Sequence, residues 1–137
     1  MFDTVLIAGL GLMGGSMAKT IKARTLSRVL GWNRTRATAE QALADGSIDA
    51  IATDALFREV DLVIIGLYPQ ATVDWLLENM PKMKKGCVIV DMVGVKQFMV
   101  DHLEQAALDA GVHYVGGHPM AGREFSDLDY GAAVMRL

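Results

Sequence analysis

Gly9-Leu10-Gly11-Leu12-Met13-Gly14 is the stretch that decides the fold. It fits G-x-G-x-x-G and follows an apolar, partly β-branched run, Thr4-Val5-Leu6-Ile7-Ala8, that reads as a strand buried on both faces. After it, Ser16 to Ala23 carries Met17, Ala18 and Ile21 at helical spacing. Strand, glycine loop and helix are the context the motif requires. The first glycine permits a tight turn, the second lets backbone approach a pyrophosphate, and the third lets the helix pack close on the strand. Unpaired N–H groups at the helix start then face the phosphates. Gly9, Gly11, Leu12, Met13 and Gly14 are therefore candidate contacts to a dinucleotide.

The same alternation continues outward. Val29-Leu30-Gly31-Trp32 reads as a strand and Thr35 to Ala44 as a helix stopped by Asp45-Gly46. Ile48 to Ala52 is a short third strand, and Asp61 to Leu67 is the clearest strand of all. Pro69 opens a helix over about 70–80, an exposed turn spans 81–86, and Cys87 to Asp91 is a strand. Lys96 to Ala110 is helical, with Phe98, Leu103, Ala106 and Ala107 as core positions, and His113 to Gly116 is a last strand. Such alternation predicts an α/β chain: a Rossmann-like, doubly wound parallel sheet with helices on both faces.

The 137 residues make one domain, 1–137. The apolar ending 131–137 suggests a fragment of a longer chain. Hydrophobic residues at 52% against 21% charged fit a folded domain and not a disordered one. A net charge of -3 argues against a nucleic-acid or anionic membrane surface. One cysteine, Cys87, excludes an internal disulfide and a multi-cysteine zinc site, and no other metal-ligand spacing is present. Neither a signal sequence nor an apolar run of membrane length is found, so the expected location is the cytoplasm.

Ligands of open parallel sheets lie outside the C-terminal strand ends. Four segments fall there. Trp32-Asn33-Arg34-Thr35-Arg36 has Asn33 where NAD sites usually carry an acid. Without that charge, Arg34, Thr35 and Arg36 offer an anion site for a 2′-phosphate, which favours NADP, with NAD the alternative. Leu67, Tyr68 and Pro69 should lie along the cofactor. Asp91 to Lys96 also faces the crevice; Asp91 fits a turn cap, and Gly94 and Lys96 fit substrate contacts, Lys96 toward a carboxylate or a ribose. Gly116-Gly117-His118-Pro119-Met120-Ala121-Gly122 sets a histidine among small residues that clear space for a ligand, Gly122 among them. Imidazole titrates near neutrality and suits general acid–base work. His102 and His113 lack that setting.

Together, Gly9 to Ser16, Asp91 to Lys96 and above all Gly117 to Gly122 resemble the N-terminal domain of the prephenate/arogenate dehydrogenase family. The resemblance spans residues 9–122. It implies oxidative decarboxylation of prephenate or arogenate with NAD or NADP, on the route to tyrosine. It makes His118 the catalytic histidine, hydrogen-bonded to the ring hydroxyl of the substrate. It also implies a following helical domain that forms a homodimer and supplies a substrate-binding arginine. Many members carry a serine where this chain has Gly94. NADP-dependent β-hydroxyacid or imine reductases share such a first domain and would not need the His118 segment; a non-catalytic dinucleotide-binding module is a third reading.

Overall fold

The structure, a computed structural model, describes residues 2–93 and 97–115. Six strands form one parallel sheet: β1 Thr4–Ala8, β2 Arg28–Trp32, β3 Ala50–Ile51, β4 Leu62–Ile65, β5 Val88–Asp91 and β6 His113–Val115. Their order is β3-β2-β1-β4-β5-β6. The helices are α1 Leu12–Arg24, α2 Arg36–Ala44, α3 Pro69–Asn79 and α4 Gln97–Ala110. From β1 the chain first winds outward to β2 and β3, then returns to β4 on the other side of β1. The expected doubly wound architecture is therefore present, and its crevice opens between β1 and β4.

Both faces of the sheet are covered, and the side-chain alternation of each strand divides the core in two. Val5, Ile7, Val29, Leu62 and Ile64 pack with Met17, Ala18 and Ile21 of α1 and with Ala39 and Ala42 of α2. Leu6, Ala8, Leu30, Val63, Ile65 and Ile89 pack on the other face with Trp75 and Leu76 of α3 and Leu103 and Ala107 of α4. A strand flanked on both faces has no polar side to show, which is why these runs are continuously apolar.

Three local expectations change. Helix α1 begins at Leu12, four residues before Ser16, and so takes Gly14 and Gly15 into its first turns. Asp54–Glu59 forms a 3₁₀ segment that the sequence reading left without structure. Within 81–86, Met80–Lys82 is a 3₁₀ turn and Met83 is buried, so this stretch is only partly an exposed turn. Cys87 is buried, and burial pushes its thiol up to about 12, so it stays a protonated core residue.

At the end of the sheet opposite the crevice, Asp61 ties β1 to β4. Its carboxylate accepts the N–H groups of Asp3 at 3.0 Å and Thr4 at 2.9 Å and pairs with Lys84. Burial works against the charged form, but the Lys84 hydrogen bond and the two amides outweigh it and hold the carboxyl below its ordinary range. A folded value below the unfolded one contributes stability above the unfolded pKa of about 3.9, lost as pH falls through the folded value. Asp61→Ala should cost about 2 kcal/mol at neutral pH, since two amides and an ammonium lose their acceptor. Its Tm should also fall less steeply below pH 4 than that of the parent. Thermal melts from pH 7 to 2 check this; parallel acid limbs would refute it.

Candidate functional site

The ladder of the sheet runs past its strand ends and keeps four loops abreast. Gly9 N–H donates to the Trp32 carbonyl at 2.8 Å, Gly66 N–H to Ala8 at 2.9 Å, and Met92 N–H to Ile65 at 2.9 Å. The loops after β2, β1, β4 and β5 thus leave the sheet side by side, as their motifs predict.

The three motif glycines stand in three different surroundings. Gly9 has φ +97°, a conformation side chains rarely adopt, and a Cβ there would lie 2.9 Å from the Gly66 carbonyl oxygen. At Gly14 a Cβ would sit 1.8 Å from the Gly9 carbonyl oxygen, so α1 packs on the loop with no space for a methyl group. Gly11 differs from both. Its φ is -68°, and a Cβ would meet nothing within 4 Å. No packing among the described residues asks for glycine there. The clear space at Gly11 is where a ligand would press against backbone, which fits a pyrophosphate.

The start of α1 supports the same fit. Gly11 caps it without a side-chain hydrogen bond, and its first turn holds no acidic residue. Its leading N–H groups and positive dipole end are left for an anion. Leu12 at 93% exposure, Met13 at 51% and Tyr68 at 87% are large apolar side chains standing in solvent around this mouth. A groove of about 590 Å³ runs from Leu10 and Gly11 between α1 and α2, past Ser16, Lys19, Thr38 and Gln41.

Asn33 joins two of the loops. Its Oδ1 accepts Leu10 N–H at 2.8 Å, and its Nδ2 donates to the Thr35 carbonyl at 3.1 Å. The residue is thus a brace between the glycine loop and the start of α2, beyond its predicted part in sparing a 2′-phosphate. Arg34 and Thr35 are exposed beside it. Arg36, predicted to share the anion site, lies 3.6 Å from Glu40, one turn along α2. On the other flank, Leu67 is half-buried, and the predicted loop is held by a side chain the sequence reading missed. The buried Thr72 hydroxyl donates to the Leu67 carbonyl at 3.0 Å. Its signal was a threonine three residues after Pro69, in the first turn of α3.

Asp91 caps the turn after β5 as expected, accepting Val93 N–H at 2.9 Å. Its other oxygen lies 3.3 Å from the Tyr114 hydroxyl of β6. That contact was not foreseen. Gly94, Lys96, His118 and Gly122 lie outside the described residues. Among the described residues no group of three or more His, Cys, Asp or Glu could hold a metal ion. No helix there is long and apolar enough to cross a membrane.

A family model described as prephenate dehydrogenase, nucleotide-binding domain, matches residues 17–135. The chain belongs to this family. The match begins after Gly14, so the glycine motif and the family assignment are separate observations. A prephenate dehydrogenase of Bacillus subtilis is 37% identical over 126 residues, covering 89% of this chain and 34% of that protein. The chain thus spans about a third of the length of the curated relatives it matches.

Among solved structures, prephenate dehydrogenase from Aquifex aeolicus in complex with hydroxyphenyl propionate and NAD+ is 28% identical, with a TM-score of 0.69. The likeness covers 89% of this chain and 43% of that one. A 3-hydroxyisobutyrate dehydrogenase of Mycobacterium tuberculosis scores 0.70 at 20% identity, covering 91% of this chain and 45% of that one. That second likeness shows the fold alone. Backbone shape therefore does not separate the two families.

Proposed function

We propose that this domain binds NADP and serves the oxidative decarboxylation of prephenate or arogenate, with His118 as general base. The observation that carries the proposal is the family match, which runs through the whole Gly117 to Gly122 segment. That segment has no place in the rival reading as a β-hydroxyacid or imine reductase. Turnover is assigned to the polypeptide at its full natural length, and a helical dimerisation domain belongs to the same proposal.

When bound, the dinucleotide supplies a hydride acceptor. The chain's own residues do the rest. Gly9, Gly11, Leu12, Met13 and Gly14, with the N–H groups of α1, hold the pyrophosphate. Asn33, Arg34 and Thr35 hold the adenosine ribose and its 2′-phosphate, and Leu67, Tyr68 and Pro69 border the cofactor. The His118 imidazole takes the proton of the ring hydroxyl as the carbinol carbon becomes a ketone. Lys96 is assigned a substrate carboxylate, and Gly94 and Gly122 leave space for the ring. Loss of the ring carboxylate as CO2 then restores aromaticity, which drives the overall step. Assaying prephenate and arogenate, each with NAD and with NADP, tests the reading; no turnover of either acid would end it.

Preference for NADP rests on Asn33 in place of an acid and on the exposed Arg34 beside it. Asn33→Asp keeps an acceptor for Leu10 N–H but adds a charge facing the 2′-phosphate and loses the donor to Thr35. NADP affinity should fall about tenfold or more while NAD affinity changes less. Calorimetric titration of parent and variant measures both; a parent that binds NAD as tightly as NADP would refute the preference.

A further inference from the structure

We propose that Gly31 of β2 is a positioning residue for the dinucleotide. The space left by its missing side chain seats Leu10, and the seated Leu10 fixes the glycine loop at Gly11. The proposal rests on the dinucleotide-binding role given to that loop above.

Glycine weakens a strand interior, so its presence inside β2 asks for a reason. Gly31 pairs with Ile7 of β1 and Ile51 of β3, and its carbonyl accepts Ala52 N–H at 2.8 Å. Its φ is not positive, so backbone conformation does not call for glycine. Space is what calls for it. A Cβ at Gly31 would lie 2.7 Å from Cδ1 of Ile48 and 2.9 Å from Cδ1 of Leu10. By strand alternation the position faces α1 and α2, as Val29 does. Leu10 is buried on that face with Met17, Ala39, Ala42 and Ile48.

Leu10 is thus a loop residue held as part of the core. Its N–H donates to Asn33 Oδ1 at 2.8 Å, and Gly9 before it donates to the Trp32 carbonyl at 2.8 Å. These two bonds tie the loop to the end of β2, and the side chain over Gly31 sets how closely it lies there. The next residue is Gly11, whose open side is assigned to the pyrophosphate. Adjacent residues are joined by a planar peptide, and the close-packed core leaves Leu10 no spare room. A shift of Leu10 therefore carries into Gly11 and the N–H groups at the start of α1.

Gly31→Ala should fold, because both crowded atoms are ends of flexible side chains. The crowding displaces Leu10, and the Kd of NADP should rise about five- to tenfold. Adding Leu10→Val removes the Cδ carbons and should return the Kd to within about twofold of the parent. Adding Ile48→Val leaves the approach to Leu10 in place and should not. Leu10→Ala alone empties the seat without crowding it and should weaken NADP binding as well. Calorimetric titration of the chain measures each variant. An unchanged Kd in Gly31→Ala or in Leu10→Ala overturns the seat. So does a loss that Ile48→Val restores, or one that Leu10→Val does not, since either makes the effect general overpacking. A second measurement needs no ligand. By NMR, the amide resonance of Gly11 should move in Gly31→Ala, while that of Gly86, at the other end of the sheet, stays; an unmoved Gly11 resonance overturns the proposal. Should the parent bind no dinucleotide, the functional reading fails while the Gly11 resonance still decides the seat.

Discussion

Gly14→Ala is expected to destabilise the domain by more than about 3 kcal/mol, and Gly11→Ala to leave its stability unchanged while abolishing tight dinucleotide binding. The two residues stand three apart in one motif, and a sequence pattern treats them alike. The structure separates them. A methyl group on Gly14 would lie 1.8 Å from the backbone oxygen of Gly9, and neither atom is the far end of a flexible side chain. Relief requires α1 to move off β1, which unpacks Met17, Ala18 and Ile21 from the core they share with Val5 and Ile7. Among the described residues, a methyl group on Gly11 meets nothing within 4 Å. It enters the space assigned to the pyrophosphate, and affinity should drop at least about tenfold. Thermal melts and calorimetry of both variants check this. A Gly11→Ala variant that binds as the parent does would mean that the open space is not a ligand site.

His118→Asn is expected to lower kcat by about 10²–10⁴-fold in the polypeptide at its full natural length. Asparagine keeps the approximate size and one hydrogen bond but cannot accept a proton at neutral pH. Dinucleotide affinity should change little, so the loss falls on kcat and kcat/KM together, as for an interaction made in the transition state. In the parent, kcat should decline at acid pH as the imidazole protonates, and that limb should vanish in the variant. Near-normal kcat in His118→Asn, or a loss confined to cofactor binding, would make the residue structural and remove the main support for the dehydrogenase reading.

The strands were legible because both faces of the sheet are covered. Val5 to Ala8 and Leu62 to Ile65 therefore carry no polar position, and a continuous apolar run bounded by glycine or proline has few other readings. The start of α1 was misplaced because Gly14 and Gly15 are poor helix formers. Close packing of the helix on Gly9 outweighs that local preference, and only the tertiary contact reveals it. The Arg36–Glu40 pair was open to reading from their spacing of four along the helix. The Asn33 brace and the Tyr114 contact were not legible. Each joins residues 23 apart, and their meeting depends on strand register that no local pattern encodes. The motif residues thus announced themselves, while the groups that hold the motifs in place did not.

The strand order has a consequence for how the molecule is made. β1 is made before the other described strands, and it sits at the middle of the sheet. Its partner β2 follows soon after, but Val5 to Ala8 must also pair with Leu62 to Ile65, about 60 residues later. At about 5–20 residues per second, that interval is roughly 3–12 s. Throughout it, a wholly apolar strand has one edge open to other nascent chains. Synthesis therefore passes through a stage in which an aggregation-prone edge is uncovered, and slowing translation before residue 62 should lower the soluble yield.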